Sequence, residues 1–192
     1  MNSFVLDVNN KKVIDMKKRV IKLMVIAIVL IGCRSTKEVV TKEDLNRVNA
    51  LIANNEFTIE SNWAYPQNAD VIRINRILNP NNMGGDINLV GNANHFKKVG
   101  DSLSIYLPYY GVRQNGGGFN ASDVGIKFDG TPKKTEYSFN EKKGMHQYEF
   151  VVDHDTENLQ VYVQIFPKLS TVIRVNSSHR TSISYRGKVI QE

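Results

Sequence analysis

The chain has 192 residues, 23% of them charged and 41% hydrophobic, with a formal charge of +6 and a single cysteine. The positive excess sits at the N-terminus: residues 1–32 hold six of the 25 Lys and Arg and two of the 19 Asp and Glu, leaving 19 cations against 17 anions from Cys33 onward. So small a balance, with no basic stripe interleaved with aromatics, excludes nucleic-acid binding, and one cysteine excludes a disulfide framework and a cysteine-based metal site.

In chain order, the first feature is a targeting segment. Lys17, Lys18, Arg19 and Lys22 precede nine unbroken apolar residues, Leu23–Ile31, and then Gly32-Cys33. A positive n-region, an apolar h-region and small residues at the cut site make a secretory signal. The run is too short to span a bilayer, which needs ~20 apolar residues. Leu30-Ile31-Gly32-Cys33 resembles a lipobox, so Cys33 is read as the lipid attachment site and the first residue of the mature protein. Residues 1–32 are then the signal, with Met16 the better start, and 33–40 a lipidated tether. The chain is expected to be anchored to a membrane rather than to span it. Arg34 after the cysteine points to the outer membrane of the cell envelope.

Residues 41–192 are read as one β-rich domain, long enough for a proper core. Thr41 with Asp44 imitates a capping box, and Leu45, Val48, Leu51 and Ile52 follow at helical spacing, so a helix is predicted over 42–54. The pattern then switches to period two. Phe57, Ile59, Ser61 and Trp63 are placed on one face of a first strand, with Ile72 and Ile74 in a second. A turn-rich stretch, 79–85, leads to a short strand at 86–90. Leu103, Ile105 and Leu107 alternate with Ser102, Ser104 and Tyr106 in the clearest half-buried strand. Gly116-Gly117-Gly118 interrupts before 124–128 resumes. The segments 134–139 and 145–153 make a hairpin about the turn Asn140–Gly144. Strands at 159–166, 171–176 and 182–190 finish the chain. Eight to ten short strands at this spacing predict an antiparallel barrel or strongly curved sheet, with a β-sandwich as the alternative.

No catalytic constellation emerges. The Gly116–Gly118 run lacks the strand-to-helix context and the Lys-Ser/Thr of a phosphate loop. His95, His146, His154 and His179 have no helical i, i+4 pair, so no metal site and no cofactor are predicted. Ser177, Ser178 and His179 lie close in sequence, but a triad is recognised by geometry, and there is no G-x-S-x-G elbow.

Leu107-Pro108-Tyr109-Tyr110-Gly111, the glycine-rich segment, Gly125-Ile126-Lys127-Phe128, and the closing Val175-Asn176-Ser177-Ser178-His179-Arg180 … Ile183-Ser184-Tyr185-Arg186-Gly187 together resemble a family of lipoproteins known as domain of unknown function 4251. Tyr110 stands where that family usually has Phe. The resemblance implies a β-rich, lipocalin-like barrel in Bacteroidota envelopes and supplies no catalytic residues.

Pro108, Gly111, Arg180, Tyr185 and Gly187 are read as structural. Arg180 is expected to begin the last strand and fix a chain reversal by donating to turn carbonyls, with Tyr185 on the opposite face. The candidate ligand or partner surface is Tyr109, Tyr110, Arg113, Gly116, Gly117 and Gly118. The leading functional reading is a non-catalytic binding domain for a small apolar or amphipathic ligand held inside the barrel. An envelope interaction module is the alternative, and a hydrolase the third. An enclosed apolar cavity would favour the first, and a filled interior the second.

Overall fold

Ten strands and two helices follow one another along the domain in the computed structural model, which describes Lys17, Lys22 and residues 39–190 apart from 81–83, 115–124 and 155–156. The signal segment, Cys33, the tether up to residue 38, and Gly116–Gly118 lie outside the described residues. Everything below concerns the unit 40–192.

Helix α1 (Lys42–Ala53) begins where the capping signal places it. Thr41 Oγ1 accepts from Asp44 N at 3.1 Å and Asp44 Oδ2 accepts from Thr41 N at 3.0 Å, which satisfies two N-terminal donors. Its inward stripe is Val48, fully buried, with Leu51 and Ile52 partly buried beside the core. Strand β1 (Glu56–Pro66) follows after Asn55, which adopts a left-handed φ of 54°.

The segment carrying Ile72 and Ile74 corrects the sequence reading. It is a second helix, α2 (Ala69–Leu78), not a strand. Asn68 Oδ1 caps it by accepting from Asp70 N (3.0 Å) and Val71 N (3.1 Å). A five-residue window made the isoleucines look alternating, whereas over ten residues Val71, Ile74 and Leu78 recur at helical spacing. Strand β2 is only Ile87–Asn88, shorter than expected, and β3 (His95–Val99) is a strand the pattern did not reveal.

The remaining strands are β4 (Ser102–Pro108), β5 (Gly125–Gly130), β6 (Lys134–Asn140), β7 (Met145–His154), β8 (Glu157–Ile165), β9 (Ser170–Ser177) and β10 (Ile183–Ile190). All pair antiparallel in one sheet, in the order β5-β4-β3-β1-β10-β9-β8-β7-β6, with β2 added beside β1. A single continuous sheet sets the sandwich aside.

The sheet is strongly curled into a half-barrel. Strands β3 and β7 are five places apart, which in a flat sheet is ~24 Å at ~4.8 Å per strand. Yet the rings of Phe96 and Phe150 lie with centroids 5.6 Å apart, and those of Phe57 on β1 and Tyr148 on β7 5.7 Å apart. The concave side is therefore closed on itself. It is filled by these rings together with Ile59, Leu103, Ile105, Leu107, Val161, Val163 and Ile173, all buried. The alternation read in β4, β7 and β8 is what aims these residues inward.

One irregularity changes the surface. Ser61 pairs with Gly187, but Trp63 pairs with Arg186, so β1 carries a bulge at Asn62. The extra residue reverses the parity beyond it. Ala64 and Pro66 become buried, and Trp63, expected in the core row, is a half-buried residue on the other face.

Candidate functional site

The family-like residues 107–113 and 177–187 meet at one end of the half-barrel. Arg180 does not begin β10, which starts three residues later at Ile183; it sits in an isolated antiparallel bridge with Arg113. The irregular Thr181-Ser182 link separates Arg180 from the strand, and Arg180 and Tyr185 are both buried. Arg180 Nε donates to Glu157 Oε1 (2.9 Å) and Oε2 (3.1 Å), and its Nη1 donates to the Gly125 carbonyl at 2.8 Å. Ser177 Oγ donates to the same carboxylate and accepts from the backbone N–H of His179 and Arg180. The guanidinium lies 5.3 Å from the Tyr109 ring centroid.

Tyr109 is 8% exposed, so it is not the surface tyrosine anticipated from sequence. Its hydroxyl reaches the carbonyls of Val112 (3.1 Å) and Thr181 (3.0 Å), and Thr181 Oγ1 (2.9 Å). Burial pushes its phenol above the ordinary tyrosine value, partly offset by Thr181 and Arg180. Tyr185 is fully buried, donates to the Pro108 carbonyl at 2.8 Å, and is raised well above the ordinary value by burial. Tyr110 packs half-buried against the core, and Arg113 Nη2 stands 3.8 Å from Glu157 Oε2. At Gly111 a Cβ would fall 2.7 Å from Thr181 Oγ1, and at Gly187 it would fall on the Glu60 carbonyl and 2.7 Å from Ser61 Cα. Glu157, Ser177, Arg180, Tyr109 and Thr181 thus bond to one another or to nearby backbone. Together they form a clasp that ties β4, β5 and β8 to the residues around the start of β10.

Ser178 Oγ is 2.7 Å from His179 Nδ1, but both belong to the exposed turn and Ser178 Oγ already accepts from Asn158 N. A nucleophile–base pair needs a third group that orients the base, and none is recorded at His179 among the described residues.

At the opposite end, beneath α1, His146 bridges Tyr137 OH (2.8 Å) and Asn49 Oδ1 (3.0 Å). Burial lowers its pKa and also raises that of the neighbouring Tyr148 to about 12. Lys98 is buried close by, donating to Asn55 Oδ1 and the Gly100 carbonyl with its ammonium 5.9 Å from the Tyr148 ring centroid; desolvation lowers its pKa.

Two grooves are notable among the described residues. One of about 560 Å³ runs between α1 and the start of β1, lined by Arg47, Leu51, Asn54 and Phe57 among others. The more spacious, about 750 Å³, is lined by Trp63, Asn75, Leu78, Asn79, Pro80, Asp86, Ile87 and Asn88. It is built by the bulge and by α2. Asn94 holds the bulge open by accepting from Ser61 N (2.8 Å) and donating to Ser61 O (2.9 Å), while Leu89 N donates to Asn62 O. Asn75 Nδ2 ties α2 to the Asp86 carbonyl at 3.0 Å, and Asn79 Nδ2 donates to Asn75 Oδ1 at 2.8 Å. Sequence reasoning missed this groove because Asn94 acts 33 residues from the strand it braces. The sole local hint was the loss of a large apolar residue at 61.

The fold defines a mainly β half-barrel domain whose concave side is lined by buried rings. The chain belongs to the family described as "Domain of unknown function (DUF4251)", which it matches over residues 40–189. Three solved chains match it. One is the crystal structure of a DUF4251 family protein from Bacteroides eggerthii, with a TM-score of 0.51 and 13% identity, covering 77% of this chain and 87% of that one. At that identity the likeness speaks for the fold alone. No curated protein matches the chain.

Proposed function

We propose that this is a lipid-anchored protein of the cell envelope whose domain is a non-catalytic binding module, receiving its ligand on the outside of the curled sheet. The observation that carries this reading is the contrast between the two faces. The mutually packed rings of Phe57, Phe96, Tyr148 and Phe150 occupy the concave side, while the groove at Trp63 offers about 750 Å³ outside, within the ~300–1,000 Å³ of small-molecule sites.

Two measurements test it. Intact mass of the chain purified from membranes should show Cys33 as an acylated N-terminus, and Cys33→Ala should move the protein to the soluble fraction. Amide exchange with and without envelope extract should show protection over 60–66 and 75–88. Protection confined to the buried core strands instead would refute the external site.

A second reading, an interaction module docking through a sheet edge, is favoured by β6. Its outer edge pairs with no strand among the described residues, all seven of its residues are exposed, and Tyr137 and Phe139 are about half exposed.

A further inference from the structure

We propose that the Trp63 groove is a saccharide site, built to stack one sugar face on the indole and to meet its hydroxyls with carboxamides. The inference deepens the external-site reading above and rests on it.

The first argument is the bulge. It interrupts the ladder between β1 and β10, and three separate devices maintain it. Gly187 has no room for a Cβ beside Ser61. Asn94 satisfies both backbone groups of Ser61, and Leu89 N satisfies the Asn62 carbonyl. A regular strand would have carried residue 63 into the core row. The bulge turns outward the chain's one tryptophan, and bulges commonly re-aim a side chain next to a functional site.

The second argument is the chemistry of the lining. Asn75, Asn79 and Asn88 contribute carboxamides, each able to donate and accept, which matches hydroxyls that also do both. Asn79 Oδ1, Asn88 Nδ2 and Trp63 Nε1 have no partner among the described residues. Leu78, Pro80 and Ile87 supply apolar walls, and Asp86 adds a carboxylate among the described lining residues. Three amides and an acid make the groove too polar for an acyl chain. A ring with an apolar C–H face and a hydroxyl edge suits both halves, since the electron-rich indole face attracts the polarised C–H groups.

The test uses the detergent-solubilised full chain. Because Trp63 is the single tryptophan, its emission reports the groove directly. Cellotetraose, maltotetraose, chitotetraose and xylotetraose are titrated separately, with calorimetry in parallel. At least one should give a saturable emission change. Trp63→Ala should abolish the heat of binding, and Asn79→Ala, on an exposed helix-end residue, should weaken binding several-fold without moving the unfolding midpoint. No saturable response to any of the four, or binding that survives both substitutions, overturns the proposal. If envelope extract still protects 60–66 and 75–88 while all four sugars fail, the saccharide assignment falls and the external site stands. If a proline-rich peptide saturates the emission and no sugar does, the groove is a peptide site and the proposal is wrong.

Discussion

Replacing Arg180 by alanine gives the sharpest test of the clasp. Both side chains of the Arg180–Glu157 pair are 6% exposed, and the substitution removes two contacts to the carboxylate and the donor to the Gly125 carbonyl. Leaving one member of a buried pair uncompensated costs ~3–5 kcal/mol. Ser177 Oγ still donates to Glu157, and Arg113 at 3.8 Å can move closer, so the lower end, ~3 kcal/mol, is expected. For a domain of ~150 residues each kcal/mol moves the melting temperature by ~2–4 °C, so Arg180→Ala should melt ~6–12 °C below the parent. The double variant Glu157→Gln, Arg180→Met carries no stranded charge and should recover at least half of that loss in calorimetry. A loss below ~1 kcal/mol for Arg180→Ala, or a double variant less stable than the single one, would show that the pair does not hold this end together.

Gly187→Ala drives a methyl into the Glu60 carbonyl and Ser61 Cα, so it should either unfold the domain or shift the bulge; a chain that folds with parental Trp63 emission would contradict the account of the bulge. His146 has a lowered pKa through burial. Its neutral form is favoured in the folded state, so its contribution is present above about pH 6.5 and lost as pH falls below it. His146→Phe should therefore flatten the acid side of the stability profile below about pH 6.5, read as melting temperature against pH. Tyr109, Tyr148 and Tyr185 have raised pKa values, Tyr148 to about 12. Their contribution is complete below about pH 10 and is lost as pH rises through the folded values. Phenolate absorbance should thus show these three ionising only with alkaline unfolding; early titration of all eight tyrosines would contradict their burial.

What the sequence determined by itself was local. Thr41 and Asp44 announced the start of α1, because a capping box is complete within four residues. Leu103, Ile105 and Leu107, and the rows through β7 and β8, announced their inward faces, because period-two alternation needs no distant partner. Asn140–Gly144 announced the hairpin: Asn140 accepts from Lys143 N, and Gly144 takes a φ of 57°. The closing motifs were enough to indicate the family.

The tertiary structure decided what depends on distant groups. The ion pair of Glu157 with Arg180 spans 23 residues and the brace of Asn94 on Ser61 spans 33. Neither leaves a mark in spacing. Trp63 obeyed the alternation of its own strand until an extra residue, tolerated because Gly187 sits opposite, reversed it. Tyr109 resembled a surface tyrosine until Thr181, 72 residues away, took its hydroxyl. Which residues meet across the barrel was likewise settled only at this level: closure of the sheet brought β1 and β3 against β7 and set their rings in contact.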